Sequence, residues 1–296
     1  MILPNLLIVG AAKSGTTSLH NYLKQHPDIF MTDHKEPHFL INNEIGVNRI
    51  PNGISKYKDY LTLFKDAKNY QYRGESSAMY LQFPEISIKN IKKHLDDDVR
   101  IIIMLRNPIE RAFSGYQHVK RYNMLEKLEF SEAIDVCENR YFTNTNCTPA
   151  SRYLNIGLYY NMVKKFQENF GNRTHVIIYD DFIDDTQKEL SNVFNFLDLK
   201  GISIDTNQKF MVGGWQWKSM FFKNLFTKKG WMSKFIRFIF PFNRLRRSLR
   251  RHLISLFSSP VEAMDNTTKS KLQDFYYNDI ISLSKLLDRN LKSWLK

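Results

Sequence analysis

Leu6-Leu7-Ile8-Val9 followed by Gly10-Ala11-Ala12-Lys13-Ser14-Gly15-Thr16-Thr17 reads as a buried strand, a glycine-bounded turn and the opening of a helix expected over 16–25. Glycines let successive backbone N–H groups converge on one anion, and the helix adds the positive end of its dipole. The spacing from Gly10 to Gly15 matches a Walker A loop, but Thr16 stands where the lysine after the second glycine belongs, and Lys13 lies inside the loop instead. The turn therefore suits a phosphate-like anion other than the γ-phosphate of a nucleoside triphosphate. The competing reading is a glycine turn with no ligand.

Outward from this stretch, apolar runs alternate with helical periodicity, the pattern of a parallel sheet covered by helices. Strands are expected over 6–10, 70–74, 99–105 and 175–179, and helices over 55–64, 84–94, 108–122, 130–137, 159–169, 186–197 and 266–287, the last capped by Asn266 or Thr267. The fold class is α/β, with a P-loop-like central parallel sheet flanked by helices and a helical, basic C-terminal region. No proline- or glycine-rich linker divides the chain, so 1–296 reads as one domain, with a basic aromatic segment over 206–261 and a C-terminal helix within 262–296. Loop signals run over 200–216, with Gly213-Gly214 as the strongest breaker.

A hydrophobic share of 43% is enough for a sizeable core. Cys137 and Cys147 are too few for a disulfide framework, which makes a reduced compartment the default and leaves one bridge open. Met1 leads directly into the first strand, and no run approaches the roughly 18 apolar residues of a membrane span. The expected location is cytoplasmic. The net charge of +13 is concentrated: twelve lysines and arginines lie between Asp205 and Glu262 with no acid among them, beside aromatics such as Trp215, Trp217, Phe221 and Trp231. Two readings stand, a solvated face over core aromatics, or a surface for an anionic membrane or an acidic acceptor. Nucleic acid is not expected, since no binding motif accompanies the charge.

A second anion site is suggested where the apolar run ending at Leu105 meets Arg106-Asn107-Pro108, followed by Arg111 and Ser114. Open α/β sheets place ligands at such strand ends, and Pro108 can begin the next helix. An arginine at the strand end and a hydroxyl nearly two turns into the helix can grip a phosphate from two sides. A kinase or ATPase of the P-loop type usually carries a metal-binding aspartate there, so Arg106 points to anion handling without magnesium. Between the first loop and the second strand, Asp33-His34-Lys35-Glu36-Pro37-His38 gathers acid, base and cation. Pro37 biases Glu36 toward an extended backbone, which would put Glu36 and His38 on one side, and either can take a proton.

These stretches resemble the PAPS-dependent sulfotransferases, most closely the bacterial and heparan-sulfate-type branch. The resemblance rests on 8–19, on Lys35-Glu36-Pro37-His38-Phe39 and on 105–114, and continues weakly through Gly157-Leu158-Tyr159-Tyr160, 176–182, Val212-Gly213-Gly214 and Leu291-Lys292-Ser293-Trp294. It implies a PAPS donor, leaving as PAP, with no metal. The 5′-phosphosulfate would lie on Lys13, Ser14, Gly15, Thr16, Thr17 and Ser18. The 3′-phosphate would be held by Arg106 and Ser114, with Lys218 and Ser219 closing over it. Glu36 would be the general base, Lys13 would stabilise charge on the departing bridging oxygen, and His38 would be a second candidate base or an acceptor-binding group.

The heparan-sulfate-type enzymes usually show Glu-Lys and a small residue after the second strand, where this chain reads Glu75-Ser76-Ser77. The expected function is sulfuryl transfer to a hydroxyl or amine of a carbohydrate, glycolipid or other small-molecule acceptor. The alternatives are a P-loop small-molecule kinase and a noncatalytic polyanion- or membrane-binding module.

Overall fold

In the computed structural model, which describes residues 2–122, 126–208, 210, 213–219 and 256–296, five strands pair side by side, all parallel. They are β1 (Leu6–Gly10), β2 (Ile29–Met31), β3 (Tyr72–Ser76), β4 (Arg100–Leu105) and β5 (Thr174–Ile178), in the order β2-β3-β1-β4-β5. The helices are α1 (Thr16–Leu23), α2 (Phe39–Ile45), α3 (Tyr57–Thr62), α4 (Pro84–His94), α5 (Pro108–Tyr122), α6 (Phe130–Thr143), α7 (Tyr159–Phe170), α8 (Tyr179–Asp184), α9 (Thr186–Phe196) and α10 (Asn266–Leu286). A short antiparallel pair, β6 (Trp215–Trp217) and β7 (Ser258–Pro260), stands apart from the sheet.

Strand alternation sends Leu7, Val9, Ile101, Ile103 and Leu105 into a core shared with α4, α5, α7 and α10. Leu6, Ile8, Ile102 and Met104 point the other way, against α1 and α9. Both faces are covered, which is why β1 and β4 read as continuous apolar runs. The chain leaves β1 toward β3 and β2, then returns to place β4 on the other side. The crevice between the C-terminal ends of β1 and β4 is thus the switch point where such sheets bind ligands.

The parallel sheet and the flanking helices match the sequence reading, with differences that have local causes. The third strand runs Tyr72–Ser76 rather than 70–74, because its pairing with β1 (Leu6 opposite Gly74, Leu7 opposite Glu75, Ile8 opposite Ser76) carries it through a buried acid that apolar periodicity cannot register. The three-residue β2, helices α2 and α8, and β6 are too short to leave a periodic signal. The second half of α6 also lies beyond the expected 130–137. The cap of α10 is Asp265, whose carboxylate accepts from the Thr268 N–H at 2.7 Å, not Asn266 or Thr267. Helix α5 starts as expected, with Pro108 in the first turn and Asn107 Oδ1 accepting from the Ile109 N–H at 3.0 Å. Cys137 and Cys147 are both free and buried. The expected basic aromatic segment falls largely on 220–255, outside the described residues.

Candidate active site

The turn after β1 is held open by backbone conformation. Gly15 sits at φ +91°, and a Cβ there would come within 3.0 Å of the Tyr179 ring, so only glycine fits. As the N-cap of α1 Gly15 brings no side chain, and the Thr16 and Thr17 N–H groups have no intrahelical carbonyl to reach. Lys13 adopts φ +71° inside the loop. Burial lowers its pKa to about 8, helped by the nearby charges of Arg121, Arg106, Lys35 and Arg111. Among the described residues no carboxylate forms an ion pair with this cation, and a phosphate-type donor would supply the missing charge. Ser14 is fully buried beside the Tyr159 hydroxyl, Thr16 is buried, and Thr17 and Ser18 are half-buried on the same turn.

Arg106 stands where β4 ends, and its guanidinium lies 4.9 Å from the centre of the Tyr179 ring, the ring that also packs over Gly15. Tyr179 therefore joins the two expected phosphate positions. Arg106 forks onto Glu110 Oε2 at 2.7 and 3.2 Å, so an incoming phosphate must share or displace that carboxylate. Ser114 is half-buried on the same helix. Lys218 lies at the end of β6, exposed, with Nζ donating to the Leu256 carbonyl at 2.9 Å. Ser219 lines a cavity of about 260 Å³ with Gln117, Lys120, Arg121 and Trp217. These two residues are thus found beside the C-terminal half of α5.

On the other side of Lys13, Glu36 is the hub of a polar cluster. Its Oε1 accepts from Lys35 Nζ at 2.7 Å, and its Oε2 is 3.1 Å from His38 Nε2 and accepts from the Ala78 N–H at 3.1 Å. Burial alone would raise the carboxyl, but the Lys35 ammonium and the His38 hydrogen bond outweigh it and hold the group far below the usual carboxylate range. The side chain keeps 35% of its surface open, so an acceptor can approach it. Glu36 and His38 do share one side, yet not through the extended backbone expected before Pro37. Both are left-handed, at φ +62° and +51°. The Glu36 N–H donates to the Ser76 carbonyl at 2.9 Å and the Pro37 carbonyl accepts from the Ile54 N–H at 2.8 Å, so tertiary contacts override the local preference.

Three groups escaped the sequence reading. Arg121 is nearly buried; its Nε donates to the Trp215 carbonyl at 3.0 Å and its guanidinium stacks 4.2 Å from the Trp215 ring. His118 is drawn down to about 4 by burial, then by the charges of Lys13 and Arg121, with Glu36 opposing, so the ring lies near all three. Helical spacing from Ser114 through His118 to Arg121 was the available signal. Glu75 stands in the sequence reading only as the motif position where a following lysine is missing, and nothing in the polar run Tyr72-Arg73-Gly74-Glu75-Ser76 marks which of its residues is fully buried.

A sheet with its switch-point crevice lined by an uncapped glycine loop, a strand-end arginine and a carboxylate–histidine pair defines a group-transfer site for an anionic donor. The chain belongs to the sulfotransferase family: the model of the sulfotransferase domain matches residues 3–213. Human carbohydrate sulfotransferase 15 is 26% identical over 252 residues, covering 68% of this chain and 45% of that protein. The membrane-associated sulfotransferase kil1 of Dictyostelium discoideum is 31% identical over 141 residues, 44% of this chain and 27% of that one. The chain thus spans less than half the length of these relatives. A sulfotransferase from Alicyclobacillus acidocaldarius superposes with a TM-score of 0.76 at 26% identity, over the whole of both chains.

Proposed function

We propose that the protein is a sulfotransferase that uses PAPS as donor and a hydroxyl or amine of a carbohydrate-type acceptor. The observation that carries this reading is the Tyr179 ring, which packs against Gly15 of the loop and against the Arg106 guanidinium, with Lys13 near enough to Arg106 and to Lys35, the partner of Glu36, for both charges to lower its pKa. Lys13 therefore shares one neighbourhood with the phosphate grip and the base. The loop amides with Thr16 and Thr17 hold the 5′ end of the donor, and Arg106 with Ser114 holds the 3′-phosphate. Glu36 takes the proton from the attacking oxygen or nitrogen as the new bond to sulfur forms. Lys13 stabilises the negative charge left on the bridging oxygen as the sulfur–oxygen bond breaks. For Glu36 to accept a proton it must loosen its bond to Lys35, since a carboxylate held that low is a weak base.

The carbohydrate assignment draws support from relatives such as carbohydrate sulfotransferase 15. We further infer a cytoplasmic enzyme whose acid-free, cationic stretch between Asp205 and Glu262 meets an anionic surface. The test of the main reading is calorimetric titration with PAP in metal-free buffer, beside ATP with magnesium. PAP binding with no ATP signal supports the reading, and a screen of sugar acceptors with labelled PAPS follows. ATP binding without PAP binding would replace it with a small-molecule kinase.

A further inference from the structure

Glu75 is fully buried in β3, opposite Leu7 of β1, and the chemistry assigned above makes no use of it. A carboxylate enclosed this way is costly unless hydrogen-bonded. Its Oε1 accepts from the Tyr80 hydroxyl at 2.7 Å and from the Tyr60 hydroxyl at 3.4 Å, and its Oε2 accepts from the Ser77 hydroxyl at 2.8 Å. Two of these hydroxyls are also acceptors: Ser77 Oγ from the His38 N–H at 3.0 Å, and Tyr80 Oη from the Leu40 N–H at 3.4 Å. The same turn after β3 grips Glu36 through the Ser76 carbonyl and the Ala78 N–H.

We propose that Glu75 is a positioning residue for this active site: by accepting from both hydroxyls, its carboxylate turns their lone pairs toward the N–H groups of His38 and Leu40 and so fixes the Glu36-Pro37-His38 segment, left-handed at Glu36 and at His38. The inference rests on the reading of Glu36 as base. A proton on either Glu75 oxygen makes that oxygen a donor. Where that oxygen faces Tyr80 or Ser77, the hydroxyl must then accept, and its own proton swings toward a backbone N–H that has nothing to offer it; only a proton aimed along the 3.4 Å contact to Tyr60 spares both arms. The bracket is firmest with Glu75 ionised, when both of its oxygens accept from the hydroxyls that hold the segment. Burial pushes this carboxyl up to about 7, although the Tyr80 and Ser77 hydrogen bonds oppose it, so the switch falls near neutral pH. The titratable groups facing Glu75 are Tyr60 from α3, Tyr80 from the turn after β3, and Glu36 and His38 from the segment before α2.

The test is the pH profile of kcat, followed as PAP release from PAPS with a glucosamine-terminated oligosaccharide, which counts transfer to sugar and to water alike. Calorimetry gives PAP affinity in parallel. The expected profile for the native chain is a kcat that rises through about pH 7. Glu75→Gln should lower kcat by roughly tenfold to a hundredfold, the scale of a misplaced catalytic group. It should also flatten that rise and leave PAP affinity within about twofold, while His38→Asn keeps the rise. Ser77→Ala, which cuts only the His38 arm, should lower kcat and keep the rise, and it decides the matter if Glu75→Gln does not fold. Native kcat and an unchanged profile in Glu75→Gln would overturn the inference. So would a rise that disappears in His38→Asn and persists in Glu75→Gln, or native kcat in Ser77→Ala. Glu36→Gln separates the two levels: full turnover there sinks the base assignment itself, whereas an inactive Glu36→Gln beside a native-like Glu75→Gln sinks only the role of Glu75.

Discussion

The three residues with the sharpest chemistry, Lys13, Glu36 and His38, all have positive φ without being glycine. Such backbone strain persists where surrounding structure overdetermines it. Glu36→Gln keeps the shape and removes the proton acceptor, so kcat should fall by about 10² to 10⁴ with PAP affinity little changed. Single-turnover rates beside calorimetry check this, and near-native turnover would shift the role to His38. Arg106→Ala should act the other way. Loss of a charge-assisted grip worth about 1.5–3 kcal/mol weakens PAP binding by at least tenfold, and unchanged affinity would remove Arg106 from the donor site. Because Lys13 is held near 8, an arriving anion should raise it, and at pH 8 PAP binding should take up about half a proton. Calorimetry in two buffers of different ionisation enthalpy reads that uptake, and identical heats would rule it out.

Among the elements, the β1–α1 unit carries the donor loop, and its fit depends on a ring delivered from β5. Gly15→Ala forces a side chain into the left-handed region against Tyr179. It should cost more than about 1 kcal/mol of stability and weaken PAP binding. Denaturant melts with PAP calorimetry test this, and a variant matching the native protein in both would mean that the loop has slack. The start of α5 was legible from Pro108, because a proline at the head of a helix is local chemistry, whereas the Asn107 cap appeared only in the structure. The function of its middle was only half legible. Ser114 was found through the motif, while His118 and Arg121 needed the neighbouring loop and β6 to show which face of the helix mattered.

Across the whole molecule, proton linkages of opposite sign oppose each other among the described residues: the histidines His20 and His118, lowered by burial, against the carboxyls of Glu75 and of Asp279, the latter raised by burial to about 6. His20 is buried, with Nδ1 on Ser76 Oγ at 2.9 Å and Nε2 on the Thr32 carbonyl at 3.1 Å, and burial draws it down to about 4, as it does His118. A lowered folded pKa contributes stability above the unfolded value, near 6.5, that is lost as pH falls through 4. Glu75, raised from 4.5 to about 7, has the opposite sign: its contribution is complete below 4.5 and lost as pH rises through 7. The thermal midpoint should therefore fall between pH 6.5 and 4, and Glu75→Gln should make that fall steeper. An equal slope in both proteins would show that Glu75 does not titrate. Fold and function pull apart at this residue, since the interior favours the neutral acid while the bracket around Glu36 is firmest with the charge.

The sequence by itself determined the strand–loop–helix start, the α/β alternation, the strand-end arginine and the acid–histidine pair, because strand alternation, helix periodicity, caps and glycine turns are written within a few residues of each other. Only the tertiary structure decided that Tyr179 bridges Gly15 and Arg106, that Glu110 occupies the Arg106 fork, and that Glu75 reaches the Glu36 segment through two hydroxyls. The Tyr179 and Glu75 contacts join residues brought together by the strand order, and Arg106 and Glu110, four residues apart, meet because α5 begins where β4 ends. Hydrogen bonds and ring contacts are short-range forces, so they act only after the sheet has placed its C-terminal edges side by side.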